Sequence, residues 1–347
     1  MTDAPLASLA EAAQLDAARA ALAQHGLCDL HIDTWIPKRL WGYDPARRHG
    51  LGLLRGHFFG HLDLPRLGEA GVRAAGWSLT TNPFRPAGSR WRTYQRNRAA
   101  FSAWIATHPE AVATAQNTAQ ALEILASGRH AVLPAVQGAN AFSAAPDLDA
   151  VFADGWLTRA TLVHLTDSDL GASSSPLSWR RHKGLSERGR QVIAAMDRHR
   201  VWLDLAHAHP QTFWDAVACH DRDRPLVATH TGVSGVAPHW RNLSDEQVRA
   251  IADSGGVVGI IAASNFLGDA SLQALLVHAE HAIQVGGEAV AAIGTDLDGA
   301  IIPPRALRDG LGHLRLVAAM FARGWSTERI ERVCAGNFWA AWRRLRG

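Results

Sequence analysis

From about residue 27 onward, short apolar runs rich in β-forming residues alternate with amphipathic stretches of helical periodicity. This alternation is typical of βα units built around a parallel sheet. Helices are predicted at 91–106, 116–127, 186–199, 210–219, 244–254 and 271–285, with more after 306. The eight apolar runs are LCDLHID (27–33), VRAAGWSLT (72–80), HAVLPAVQG (130–138), RATLVHL (159–165), VWLDLAH (201–207), PLVATHT (225–231), GVVGIIA (256–262) and AVAAIGTD (289–296).

Eight strands with intervening helices predict an α/β fold, a (β/α)8 TIM-type barrel, because that fold typically takes about 250 residues. A doubly wound parallel sheet is the alternative. Residues 1–26 are rich in alanine with apolar positions at helical spacing, so we predict an N-terminal helical extension. No linker rich in Gly, Ser or Pro divides residues 27–347, which we therefore predict to be a single domain.

The N-terminal segment does not have the pattern of a signal peptide. Asp3, Glu11 and Asp16 interrupt it, and it lacks the basic start and unbroken apolar stretch that such a peptide needs. No apolar run approaches the roughly 20 residues that span a bilayer. We therefore predict a cytoplasmic protein that does not act at a membrane.

Charge and composition narrow the function classes. The chain has 35 Lys and Arg residues against 32 Asp and Glu, a net charge of +3, and its arginines are scattered, so we predict no nucleic-acid partner. Three cysteines without a CxxC pair support neither a disulfide framework nor a thiolate zinc site. The 18 histidines instead favour a metal site with nitrogen and oxygen ligands.

Polar residues end most of the predicted strands. In a parallel barrel these ends converge on the face that carries the active site. A single buried histidine most often caps a strand or satisfies the core, but several on different strands would be costly to bury without a metal or charged partner. The strand-end residues are His31 and Asp33, Gln137, His164, His207, His230 and Asp296.

Spacing within the runs refines these assignments. His31 and Asp33 lie two residues apart, so both can point to the barrel interior and bind one cation. By the same parity Asp204 should point away from His207, and His209 should lie in the following loop. We therefore expect mainly structural roles for Asp204 and His209.

Several motifs in order along the chain carry a family resemblance. His31-Ile32-Asp33 is similar to an HxD motif on a first barrel strand, and the segment LDLPRLGEAGVRAAGWS (62–78) is similar to one that enters the second. Further motifs are TLVHLTDSD around His164, DLAH (204–207), ATHTG (228–232), the pair Arg241-Asn242 and GTDLDG (294–299). Together they resemble the membrane (renal) dipeptidase family of metallopeptidases, within the amidohydrolase superfamily.

The resemblance implies a metal-dependent dipeptidase that cleaves dipeptides or related small amides with a metal-activated hydroxide. It implies two Zn²⁺ ions, one bound by His31 and Asp33 and the other by His207 and His230. It also implies a small-molecule dipeptide partner and a homodimer. The remaining roles that it implies are binding of the carbonyl or oxyanion by His164, binding of the free carboxylate by Arg241 and proton transfer by Asp296. Asp298 lies two residues after Asp296 and shares its strand parity, so we expect it to support the ligands.

Position 137 departs from the family pattern. The family places a bridging Glu at the end of the third strand, where this chain has Gln137. A neutral amide offers one good oxygen donor instead of two anionic ones, so two metals should be held less tightly. A carboxylated lysine cannot replace the bridge, since Lys38 and Lys183 fall in predicted loops.

Three outcomes therefore stay open. The protein binds two metals less tightly and hydrolyses dipeptides, or works with one metal on a neighbouring substrate, or has lost hydrolysis and binds or tailors a peptide-like ligand. The loop from Thr34 to Leu64, with Trp35 and Trp41, is either a wall of the substrate pocket or an ordinary apolar loop cluster.

Overall fold

The computed structural model describes residues 4–51 and 55–347. Its nine strands are all parallel and form one sheet in the order β1-β2-β4-β5-β6-β7-β8-β9, with β3 paired to β4 outside this path. The strands are β1 (Leu27–Ile32), β2 (Val72–Thr80), β3 (Val112–Thr114), β4 (His130–Gln137), β5 (Arg159–Thr161), β6 (Trp202–Asp204), β7 (Val227–Thr231), β8 (Val257–Ile260) and β9 (Ala291–Ile293).

The sheet closes on itself between its first and last strands. Ile32 forms a parallel bridge with Leu297 just after β9, and Asp33 donates its backbone N–H to the Leu297 carbonyl at 2.9 Å. Asp296 donates its N–H to the His31 carbonyl at 3.0 Å. Closure excludes the doubly wound alternative and confirms the predicted (β/α)8 barrel.

A buried carboxylate reinforces the closure. Asp29 of β1 accepts the Thr295 hydroxyl at 2.5 Å and the Thr295 backbone N–H at 3.0 Å. Its second oxygen also lies 2.8 Å from Nε2 of His313. Strand β1 is therefore tied both to the end of β9 and to a helix outside the barrel.

Helices cover the outside of the barrel. Every predicted run contains one of the eight barrel strands, but β3, with three residues, was too short for the hydrophobic pattern to reveal. The helices are α1 (Ala4–His25), α2 (Trp35–Trp41), α3 (Leu64–Glu69), α4 (Ala87–Ala106), α5 (Thr118–Ala126), α6 (Leu148–Phe152), α7 (Glu187–Arg198), α8 (Pro210–Cys219), α9 (Asp245–Asp253), α10 (Ser264–Leu267), α11 (Leu272–Gly286), α12 (Gly312–Ala322), α13 (Thr327–Glu331) and α14 (Asn337–Arg346).

The first and last helices pack against different parts of the barrel. Helix α1 lies against α12 and buries Ala18 and Leu22. Helix α14 closes the end of the barrel where the strands begin, since the rings of Phe338 and Trp342 pack at tilted angles against Trp202, with centroids 5.8 and 6.2 Å from that of Trp202. The barrel interior is therefore open only at the end where the strands finish. Within residues 4–51 and 55–347, no helix combines the length and apolar character needed to cross a bilayer.

Candidate active site

The predicted site residues converge at the open end of the barrel. All of them are buried or nearly so, although they come from strands far apart in sequence. Because parallel strands end on one face, their last residues and the turns that follow share a single cavity. The residues are His31 and Asp33 at β1, Gln137 at the end of β4, His164 after β5, His207 after β6, His230 in β7, Arg241 in the loop after β7, and Asp296 after β9.

One half of the site groups an imidazole with two carboxylates. Nε2 of His31 lies 3.6 Å from Oδ1 of Asp33 and 3.7 Å from Oδ1 of Asp296. These three ligand atoms lie within 4.8 Å of one another, close enough to surround a cation. The expected inward direction of His31 and Asp33 is thus observed.

The other half contains two histidines and the unusual glutamine. Nε2 of His207 lies 3.0 Å from Nε2 of His230. The amide nitrogen of Gln137 lies 3.3 Å from the first of these atoms and 3.2 Å from the second. Position 137 therefore lies beside the two histidines, but carries no charge.

Nδ1 of His230 and Nδ1 of His31 both contact buried polar side chains deeper in the barrel. Asp204 accepts the Thr229 hydroxyl at 2.7 Å and Nη1 of Arg159 at 2.6 Å. Oγ1 of Thr229 lies 2.9 Å from Nδ1 of His230, and Nη2 of Arg159 lies 3.1 Å from Nδ1 of His31. Asp204 is thus connected to His230 through Thr229, and to His31 through Arg159.

The parity argument for Asp204 was wrong. Its carboxylate points into the barrel, on the same side as His207, because β6 ends at Asp204 and the chain then turns. His207 has a φ of 67°, so strand periodicity no longer applies there. His209 lies in the following loop, where its ring caps the start of α8 by accepting the Gln211 N–H.

Unusual backbone angles direct several side chains into the site. His207, Asp296 and Asp298 have φ values of 67°, 60° and 66°, a left-handed conformation that non-glycine residues seldom adopt. Such strain gathers at functional sites, where the surrounding structure holds it in place. A Cβ at Gly299 would overlap Oδ1 of Asp296, so the turn after β9 requires glycine beside that carboxylate.

Two further predicted residues present free polar atoms. Arg241 donates from Nη2 to the His230 carbonyl at 2.6 Å, while its Nε and Nη1 have no partner among the described residues. Nδ1 of His164 is likewise buried without a partner there, and its ring packs edge-on to His207 with centroids 4.9 Å apart. Both groups are available to a ligand.

Burial controls the protonation of the site. It raises the pKa of Asp33 to about 7, and together with the Asp33 charge it raises the pKa of Asp296 well above its usual value. Burial lowers the pKa of His164 to about 4 and of Arg241 to about 10. Burial also lowers the pKa values of His31, His207 and His230 well below the ordinary imidazole value.

Comparison with known proteins gives the family. The sequence model of membrane dipeptidase, peptidase family M19, matches residues 15–346. The chain belongs to the membrane dipeptidase family. It is also 24% identical over 292 residues to dipeptidase aclJ of Aspergillus oryzae, covering 80% of this chain and 68% of the relative.

Solved structures of this family share the fold. The dipeptidase AC, a metallopeptidase of family M19, superposes with a TM-score of 0.81 at 27% identity, covering 93% of this chain and 99% of that one. A metallopeptidase from Rhodobacter sphaeroides, liganded with a phosphinate mimic of the dipeptide L-Ala-D-Ala, gives 0.79 at 25% identity, with 92% and 99% covered. This family member is accordingly a hydrolase of the metallopeptidase class.

The site of this family member contains nitrogen and oxygen atoms that are available to bind a metal ion. Within residues 4–51 and 55–347, four buried atoms that face the cavity have no hydrogen-bond partner: His31 Nε2, Asp33 Oδ1, Gln137 Oε1 and Asp296 Oδ1. Unpaired buried polar atoms are costly, and carboxylate, amide and imidazole groups are common metal ligands. These four ligand atoms therefore fit a bound divalent cation.

Three residues around the site were not predicted. Arg159 and Thr229 contact the histidines from below, and His61 anchors Asp298, whose carboxylate also accepts the Thr34 hydroxyl at 2.8 Å. Asp298 thus ties the end of β1 to the turn after β9. The one available signal was a charged residue at the start of an apolar run, Arg159 in RATLVHL, because such residues are seldom buried unless paired.

The long loop after β1 has two aromatic parts. Trp35 is buried and lies 4.8 Å from the ring of Phe101, so it belongs to the core. Trp41 is 58% exposed and contacts Phe59 with centroids 4.9 Å apart. The first part has the packing expected of an apolar loop cluster, and the role of the second as a pocket wall stays a prediction.

Proposed function

We propose that this protein hydrolyses the amide bond of dipeptides or related small amides with a divalent metal, zinc, held among His31, Asp33, Gln137, His207 and His230. The observation that carries the proposal is the convergence of buried ligand atoms that have no hydrogen-bond partner in the described part of the chain, beside the similarly unpartnered Nε and Nη1 of Arg241. The first set suits a cation, and the second suits a substrate carboxylate.

The proposed chemistry divides between the metal and the chain. When bound, the metal supplies an activated water and polarises the amide carbonyl. Asp296 accepts the proton of the attacking water and returns it to the leaving amine, a role favoured by a pKa that is raised well above the usual aspartate value.

Two residues are proposed to hold the substrate. Nε and Nη1 of Arg241 form a planar fork that matches a carboxylate, so substrates with a free C-terminus should be preferred. His164 has its pKa lowered to about 4, so it is neutral near pH 7 and can donate a hydrogen bond to the carbonyl oxygen without carrying a charge.

The relatives support this substrate class. Dipeptidase aclJ carries the activity in its name, and the Rhodobacter sphaeroides enzyme binds a dipeptide mimic. Asp298, through its contact with Thr34, is proposed to support the ligands of β1. A homodimer and a cytoplasmic location also belong to the proposal and require separate tests.

The proposal is tested by incubating the zinc-loaded protein with a panel of dipeptides and measuring released amino acids. We expect turnover that a chelator abolishes and zinc restores. His230→Gln, which removes a donor from the cavity, serves as the inactive control. Absence of turnover with added zinc, together with a melting temperature raised by dipeptides, would favour the non-hydrolytic alternative.

A further inference from the structure

Arg39 lies at the open end of the barrel, on the helix that follows the first pair of predicted metal ligands. This helix, α2, begins two residues after Asp33, and the Arg39 side chain is exposed. Its Nη1 donates to the backbone carbonyl of Thr80, the last residue of β2, at 2.9 Å. Thr80 pairs in register with Gln137 on β4. The guanidinium is therefore fixed at the strand end next to the one that carries Gln137.

The sheet topology places Arg39 across the cavity from Arg241. In the closed path β1-β2-β4-β5-β6-β7-β8-β9, β2 is the second strand and β7 is the sixth, so they lie on opposite sides of the barrel. Arg241 is fixed in a similar way, because its Nη2 donates to the His230 carbonyl in β7. Two guanidiniums are thus anchored to strand carbonyls on opposite sides of one cavity.

Arg39 has donors to spare and lacks a carboxylate partner. Within residues 4–51 and 55–347, it forms only the hydrogen bond to Thr80 and no ion pair. Arg85, in the loop after β2, adds a second positive charge nearby. Partial burial lowers the pKa of Arg39, and the Arg85 charge adds to this effect while the Asp33 charge opposes it. A bound anion would offset the repulsion between the two guanidiniums.

A dipeptide held at Arg241 would extend towards Arg39. Its free carboxylate and its N-terminal residue lie on opposite sides of the amide bond that is to be cleaved. With the carboxylate beside β7 and the amide bond at the proposed metal ligands, the N-terminal residue points towards β1 and β2. A guanidinium at that position suits a carboxylate, which it can bind through two parallel hydrogen bonds.

We infer that Arg39 binds an acidic side chain on the N-terminal residue, so that dipeptides beginning with glutamate or aspartate are preferred substrates. The inference rests on the proposed function and adds a substrate class to it. Arg85 contributes to the same selection, because its charge disfavours a lysine or arginine side chain at this position.

The test compares Glu-Ala with Gln-Ala, two dipeptides of nearly equal shape that differ by one charge. For the zinc-loaded protein, we expect kcat/KM to be about tenfold or more higher for Glu-Ala, the effect of a hydrogen bond to a charged group. In Arg39→Gln the new amide can still donate to the Thr80 carbonyl, but the charge is lost, so the ratio should fall towards one. In Arg39→Glu, Lys-Ala should become a better substrate than Glu-Ala.

Arg222→Gln is the matched control for the change in net charge. Arg222 is exposed in the loop between α8 and β7, at the end of the barrel where the strands begin. Its replacement should leave the ratio of the two kcat/KM values as it is in the original protein. Circular dichroism and the melting temperature establish that each variant is folded before its kinetics are measured.

The outcomes separate this inference from the proposed hydrolysis. Equal kcat/KM for Glu-Ala and Gln-Ala in the original protein, or a ratio that Arg39→Gln leaves unchanged, would overturn the inference and leave hydrolysis standing. Turnover of no dipeptide would refute hydrolysis, and calorimetric titration with the same two dipeptides would then decide the inference. Tighter binding of Glu-Ala that Arg39→Gln abolishes would support it, and equal binding of both would overturn it.

Discussion

Arg241 donates from Nη2 to the backbone carbonyl of His230 at 2.6 Å, which leaves Nε and Nη1 of the same buried guanidinium unpaired within the described part of the chain. One donor thus fixes the side chain against a strand that carries a proposed metal ligand, and the others face the cavity. Burial of an unsatisfied charged group is costly, and a substrate carboxylate would offset that cost.

Replacement of this fork should weaken substrate binding. Arg241→Lys removes the bidentate geometry while keeping the charge, and we expect kcat/KM for dipeptides to fall by at least about tenfold, since a hydrogen bond to a charged group contributes about 1.5–3 kcal/mol. The measurement is steady-state kinetics with a dipeptide and with its C-terminal amide. The amide should lose little further activity in the variant; an equal loss for both substrates would contradict carboxylate recognition by Arg241.

The turn after β9 gives a second prediction. Gly299→Ala would place a Cβ against Oδ1 of Asp296, so the carboxylate must shift from its present position. We expect kcat to fall by at least about tenfold, with a smaller change in KM, because acid–base catalysis typically contributes about 10²–10⁴-fold. The chain should stay folded, as judged by its melting temperature.

Gly68→Ala is the matched control for that substitution. Gly68 lies in α3, and a Cβ there meets open space. Its replacement should leave kcat unchanged and stabilise the helix by about 0.5–1 kcal/mol. An unchanged kcat in Gly299→Ala would argue against a proton-transfer role for Asp296.

The sequence revealed the barrel and the direction of most site residues because apolar runs and strand-end polar residues follow from local periodicity. It failed where the backbone leaves a regular strand. His207 and Asp296 follow strands of three residues and adopt left-handed conformations, so parity could not place Asp204 relative to His207. The contact between Arg159 and His31, which are 128 residues apart, depends on barrel closure and has no local signature.

Buried imidazoles should make the metal-free protein sensitive to acid. Burial keeps His31, His164, His207 and His230 neutral in the folded state below pH 6.5, where the unfolded chain binds protons. The unfolded state then binds more protons, so stability falls as the pH drops from about 6.5 towards 4. Asp33 and Asp296 oppose this trend, because their raised pKa values let the folded state hold protons there, but they are outnumbered.

Chemical denaturation of the chelator-treated protein at several pH values measures this dependence. His164→Gln should reduce the slope by about 1.4 kcal/mol per pH unit, the effect of one proton. His182→Gln changes an exposed side chain and should leave the slope unaltered. A stability that rises on acidification over this range would mean that the two carboxyls, and not the imidazoles, dominate.

The glutamine at position 137 gives the last prediction. Its amide nitrogen lies 3.3 and 3.2 Å from Nε2 of His207 and His230, whereas its oxygen has no partner in the described part of the chain. To serve as a ligand, the amide must present its oxygen and give up any hydrogen bond from its NH2 group to the two rings. Gln137→Glu removes those donors and adds a negative charge, so we expect the zinc dissociation constant to fall at least about tenfold, or about 1.4 kcal/mol. Gln137→Met, which offers neither oxygen nor charge, should raise it. Competition with a zinc-sensitive dye measures both variants, and an unchanged dissociation constant in both would show that position 137 does not contact the cation.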